Sequence, residues 1–193
     1  MRALETPAQV QAFLDSLPYS ADPIYRSPRS VLRDRKAHCF DGALFAAAAL
    51  AQLGHASRLL DMRAVRDDDH ILALFEDGGR IGAVAKSNFV GLRFREPIFR
   101  SSRELVLSYF EDYYNTAGEK TLRAYSAPLD LRRFDALDWR YDDAGLEQIA
   151  TALDDIRHFP VLSPAQIRRL SRVDRRSLEA GLVGSNAAGL YRP

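Results

Sequence analysis

His38-Cys39-Phe40-Asp41-Gly42-Ala43-Leu44-Phe45-Ala46-Ala47-Ala48-Ala49-Leu50-Ala51-Gln52-Leu53 is the stretch that decides the fold class. From Phe40 to Leu53 only Asp41 and Gln52 are strongly polar. A helix that is apolar nearly all round has no face to turn to water, so it belongs in the middle of a fold. Gly54 supplies its stop, since glycine takes the left-handed conformation that commonly ends a helix.

Downstream, Ser57–Val65, His70–Phe75 and Arg80–Lys86 read as strands, the last two joined by the turn residues Glu76-Asp77-Gly78-Gly79. Upstream, Thr6-Pro7-Ala8-Gln9 is a capping box with proline at the first helical position, and Val10, Phe13, Leu14 and Leu17 follow at helical spacing. Residues 18–30, rich in Pro, Ser and Tyr, read as an irregular surface segment. Ser101-Ser102-Arg103-Glu104 opens a helix through about Tyr114, and Thr121–Tyr125 is a further strand. Leu146, Ile149, Ala150, Leu153 and Ile156 mark a helix near 143–157, and Ser163-Pro164-Ala165-Gln166 opens a last helix to about Leu182. This order predicts one α+β domain over residues 1–193, its buried helix packed on a mostly antiparallel sheet, with residues 143–193 as a helical C-terminal extension.

Hydrophobic residues are 47% of the 193 and charged residues 27%, which excludes wholesale disorder. The formal net charge of +1 gives the whole molecule no bias toward nucleic acid or membranes. The start, MRALETPAQV, lacks the apolar core of a secretory signal. Ala43–Ala51, the longest apolar run, falls short of the about 20 residues a bilayer requires. A cytoplasmic protein with no membrane partner is the expectation. One cysteine leaves no internal disulfide and no cysteine-based zinc cage. There is no glycine-rich phosphate loop and no dinucleotide fingerprint, so no cofactor is expected.

Cys39 opens the buried helix. Unpaired backbone N–H groups and the helix dipole there favour a thiolate, and the same groups can bind an oxyanion when a carbonyl is attacked. An imidazole is the usual acceptor of the thiol proton, and His70, at the start of an apolar strand, would sit at the sheet's rim. His38, His55 and His158 read as solvent-exposed. The bland alternative for Cys39 is a small buried hydrophobe beside an alanine-rich helix.

The stretches HCFDGALFAAAALAQLGHASRLL and DDDHILALFEDGGRIGAVAKSN together resemble the core of transglutaminase-like proteins, which are related to papain-like cysteine peptidases. The resemblance covers roughly residues 37–90. It implies Cys39 as nucleophile, His70 as base, and acyl transfer on a peptide or small amide substrate, whether as protease, amidase or transglutaminase. The family usually carries an Asp on the third strand to orient the histidine, and this chain has none there. Lys86, Ser87 and Asn88 are the candidates. A three-residue loop Asp77-Gly78-Gly79 would pair Glu76 with Arg80 and set Asn88 on the face of His70, within diagonal reach. A two-residue turn Gly78-Gly79 would put Ser87 opposite His70 and turn Asn88 away. Asn88 is favoured, because an amide oxygen can accept from the imidazole N–H; its bland reading is a turn residue. The missing Asp also leaves open a non-catalytic binding or scaffold protein with an unreactive Cys–His pair.

Arg93 and Arg95, at period two, could bind a substrate carboxylate or phosphate, against the more ordinary outcome of internal ion pairing. Asp67-Asp68-Asp69 reads as a solvated acidic loop that favours cationic substrates rather than as a metal site, since successive carboxylates point apart. The arginines of the last helix read as a solvated face rather than a nucleic-acid site.

Overall fold

The apolar run forms α3 (Cys39–Gln52) in a computed structural model that describes residues 4–193. Residues 1–3, where the stretch read for a secretory signal begins, lie outside the described residues. Phe40 to Ala47 and Leu50 are buried, as a helix apolar on every side requires. Its neighbours are α1 (Pro7–Asp15) and α2 (Pro28–Asp34) on one side and the sheet on the other.

The fold is α+β, and its sheet is antiparallel at each strand pairing. Strands β1 (Arg58–Ala64), β2 (His70–Asp77), β3 (Arg80–Val84), β4 (Arg95–Phe99), β5 (Leu122–Ser126) and β7 (His158–Pro160) lie in the order β4-β3-β2-β1-β5-β7, and the short β6 (Leu129–Asp130) pairs with β1. Successive side chains alternate across a strand, so each strand feeds two cores. Leu59, Ile71, Ala73 and Phe75 pack with α3 and with α5 (Leu146–Asp155). Leu60, Met62, Leu72 and Leu74 pack on the opposite face against Leu105 and Val106 of α4 (Ser102–Leu107) and against Tyr109 and Tyr113. The first six residues of β2 are all buried because that strand is covered on both sides.

Three expectations are corrected. Asp77 pairs with Arg80, so the β2–β3 loop is the two-residue Gly78-Gly79 turn and not the three-residue loop. Both glycines have positive φ, 54° and 72°, the backbone that matches the twist of the flanking strands. The helix from Ser101 stops at Leu107 and gives way to a 3-10 turn at Phe110–Asp112. Here tertiary bonds prevail: the Tyr109 hydroxyl donates to the Arg93 carbonyl, and that of Tyr113 to the carbonyls of Met62 and Asp68. The last helix is two short ones, α6 (Pro164–Ile167) and α7 (Arg175–Gly181), because Val173 N–H bonds to Gly118 O and Asp174 caps a new start. Arg168, Arg172 and Arg175 therefore share no continuous helical face. Among the described residues no helix is long and apolar enough to cross a membrane.

Candidate active site around Cys39

Cys39 is the first residue of α3, and the residues on either side fix that start. His38 is the N-cap, its Nδ1 accepting from Phe40 N–H at 3.2 Å, while the Asp41 carboxylate accepts from His38 N–H. This is a capping box with an imidazole in the role usually held by serine or threonine. Asp41 is fully buried and also accepts from the Arg26 N–H at 2.7 Å. The Arg26 guanidinium, 2% exposed, bonds Asp22 and Asp34 and lies 3.5 Å from Asp41. A buried charge needs such pairing. Arg26 thereby ties the 18–30 segment to the start of α3, and that segment is neither wholly irregular nor wholly superficial. His38 is mostly covered, and so is His158, whose Nε2 lies 2.9 Å from Asp61 Oδ2; neither is the exposed histidine expected.

The Cys39 thiol donates to the Asp69 carbonyl at 3.8 Å. Burial pushes the thiol up to about 12, reinforced by the negative charge of Asp68 and opposed by the Phe40 N–H and the Tyr19 hydroxyl. The helix-start position does favour the thiolate, as expected, but desolvation outweighs it and the resting group is a thiol.

His70 follows Asp69 directly. It is 5% exposed, and its strand parity is that of Leu72 and Leu74, on the face opposite α3. Its ring meets Tyr113 edge-on, and Nε2 lies 2.8 Å from the Leu92 carbonyl oxygen. A carbonyl can only accept, so Nε2 carries the proton and Nδ1 the lone pair. Burial pushes the imidazole down to about 4, partly offset by the Leu92 bond. Cys39 and His70 approach the rim of the sheet from its two sides, and no hydrogen bond joins them. Both line one small cleft of about 40 Å³, together with Tyr19, Ser87, Asn88 and Tyr191.

The group that orients His70 is thus the Leu92 main chain and not Asn88. The Asn88 amide is spent on the C-terminal segment: Nδ2 donates to Asn186 O at 2.9 Å and Oδ1 accepts from Asn186 N–H at 2.7 Å. The two-residue turn is the physical reason, since it sets Asn88 and His70 on opposite faces. Ser87 lines the cleft but accepts from Phe89 N–H. Lys86 is buried and donates to the carbonyls of Leu14 and Leu17 at the end of α1.

Arg93 and Arg95 stand away from this cleft and serve the scaffold. Arg93 pairs with Asp15 at 3.2 Å, and Arg95 stacks on Tyr109 while bonding Ser108, Gly91 O and Asp112. The Asp67-Asp68-Asp69 loop is only partly solvated. Asp67 accepts from the Thr121 hydroxyl and is pushed up to about 6 by burial, and Asp69 accepts from Ala64 N–H. Among the described residues no group of His, Cys, Asp or Glu is arranged to hold a metal ion.

A larger cavity of about 480 Å³ opens on the α3 side of Cys39. Tyr19 and residues 20–22 wall it, and so do Ala188–Tyr191, which sequence reasoning did not connect with the site. Tyr19 touches both cavities and the thiol; an aromatic hydroxyl in a Pro- and Tyr-rich segment carried no pattern that could have marked it. No family model matches the chain, and no curated protein matches it.

Proposed function

We propose that Cys39 and His70 perform thiol-dependent acyl transfer on a peptide or small carboxamide, as the resemblance to transglutaminase-like and papain-like proteins implies. The observation that supports this reading is the cleft that both residues line, with His70 Nε2–H anchored on Leu92 so that Nδ1 carries the lone pair. The sulfur attacks the carbonyl carbon, and His70 Nδ1 takes the thiol proton as the S–C bond forms. The Phe40 and Asp41 N–H groups already bond His38 Nδ1, so the Cys39 N–H is the helix-start donor left to stabilise the oxyanion. His70 then returns the proton to the leaving nitrogen as the C–N bond breaks. Water or an amine resolves the thioester. Because thiol and imidazole are both neutral at rest, the proton moves during attack, as in general-base catalysis, and not beforehand.

A second reading is favoured by the high pKa of the thiol and its bond to the Asp69 carbonyl. In it the chain is a non-catalytic binding or scaffold module. Reaction with p-nitrophenyl acetate, followed by intact mass and peptide mapping, separates the two. Acyl transfer requires an acetyl group on Cys39, lost in Cys39→Ala and formed at least about 100-fold more slowly in His70→Ala. Equal acetylation of the wild type and His70→Ala, or none in the wild type, leaves the scaffold reading.

A further inference from the structure

Among the described residues, the cavity on the α3 side of Cys39 is lined by five carboxylates, those of Asp22, Asp61, Asp68, Asp69 and Asp154, and by no lysine or arginine. Asp22 is already neutralised by Arg26 and Lys36. Arg63 stands 3.9 Å from Asp69 and 4.0 Å from Asp154, at the limit of ion pairing. Asp68 is exposed and has no basic partner within salt-bridge distance among the described residues.

Asp61 differs from the others. It is 1% exposed, on β1, with Oδ2 bonded to His158 Nε2. Its Oδ1 is buried and has no protein hydrogen-bond partner. It is the one buried side-chain oxygen or nitrogen among the described residues in that condition. An orphaned carboxylate oxygen loses the hydration of a full charge, a penalty that a structure rarely keeps without use. Apolar side chains complete the walls, among them Tyr25, Phe40, Ile71 and Leu153.

We propose that this cavity binds an organic cation, an alkylammonium or guanidinium group on an aliphatic chain, with Asp61 as its buried anchor. The carboxylates do not converge as a metal requires, and the apolar walls give a methylene chain a surface that a bare ion does not use. A volume of about 480 Å³ falls in the range of small-molecule sites. The cation belongs either to a free amine or to a basic residue of a peptide. Binding needs no reaction at Cys39, so it stands or falls apart from acyl transfer.

Calorimetric titration of the Cys39→Ser protein tests this at about pH 8, where carboxylates are ionised. The probes are cadaverine, agmatine, and the Nα-acetyl N-methylamides of lysine, arginine and norleucine. The cations should bind and the norleucine amide should not. Response to cadaverine and agmatine alone assigns a free amine, and response to the lysine or arginine amide assigns a basic residue. Asp61→Asn should weaken binding at least about tenfold. If Asp61→Asn fails to fold by circular dichroism, the exposed Asp68→Asn decides, with an expected loss of about threefold. Equal binding of the norleucine amide, no binding of any cation up to about 10 mM, or unchanged affinity in the deciding variant overturns the proposal.

Discussion

The thiol of Cys39, pushed up to about 12, and the imidazole of His70, pushed down to about 4, are both displaced by burial. Each displacement has a separate signature. Iodoacetamide reacts with the thiolate, so its rate should climb about tenfold per pH unit from about pH 6 to about pH 9 without a plateau. Acylation assisted by neutral His70 should instead hold nearly level down to about pH 5 and fall near pH 4. A plateau of the iodoacetamide rate near neutrality would contradict the first. The imidazole also carries a stability term. Its folded pKa lies below the ordinary histidine value of 6.5, so on acidification the unfolded chain takes up the proton first. The stability contributed is complete above about pH 6.5 and is lost as pH falls through about 4, by up to about 3 kcal/mol. Urea midpoints of the wild type and His70→Asn should therefore converge on acidification across that window. Parallel curves would place the titration elsewhere.

In α3, the packing against Lys86, two residues beyond the end of β3, depends on Gly42. A Cβ built there would stand 2.2 Å from Lys86 Cβ, a contact no real pair makes. In an isolated helix, alanine is favoured over glycine by about 1 kcal/mol. Here overpacking should win, and Gly42→Ala is expected to destabilise the protein by about 1–3 kcal/mol in chemical denaturation. A stabilised variant would show that α3 and Lys86 are not in contact. Lys86 is held at that contact because its ammonium donates to the Leu14 carbonyl in the last turn of α1, a cation at a helix C-terminus, and to the Leu17 carbonyl just beyond it. Some of this local order was open to reading and some was not. Ser27-Pro28 signals α2 as plainly as Thr6-Pro7 signals α1, since both place a hydroxyl at the cap and proline at the first helical position. That signal stands alone in the sequence, because α2 is 7 residues long, too short for apolar periodicity to support the cap. The Gly78-Gly79 turn offered two registers, and only the pairing of Asp77 with Arg80 selects between them.

The molecule closes its cleft with its own C-terminal segment. Asn186 bonds both Asn88 and the Tyr19 carbonyl, which holds Ala188–Tyr191 against the cavities beside Cys39. These residues contribute no buried side chain to either apolar cluster. A protein ending at Ser185 should keep the wild-type circular dichroism spectrum. Its Cys39 should react with iodoacetamide at least about tenfold faster at neutral pH, because hydration of the thiolate is restored. An unchanged rate would mean that the segment does not contribute to the thiol's burial.

Local chemistry alone determined the apolar helix, the glycine hairpin, the strand preceding it and the placement of the only cysteine at a helix start, because each depends on residues a few positions apart. What orients His70 was decided only by tertiary structure: the partner is a main-chain carbonyl, and a main chain leaves no mark in composition. The same holds for the histidines expected on the surface. His158 meets Asp61 across 97 positions and Asn88 meets Asn186 across 98, encounters set by how the sheet is covered. The thiol's protonation follows the same division. A helix start favours the anion and is visible in sequence, whereas the desolvation that prevails comes from segments that converge only in the folded chain.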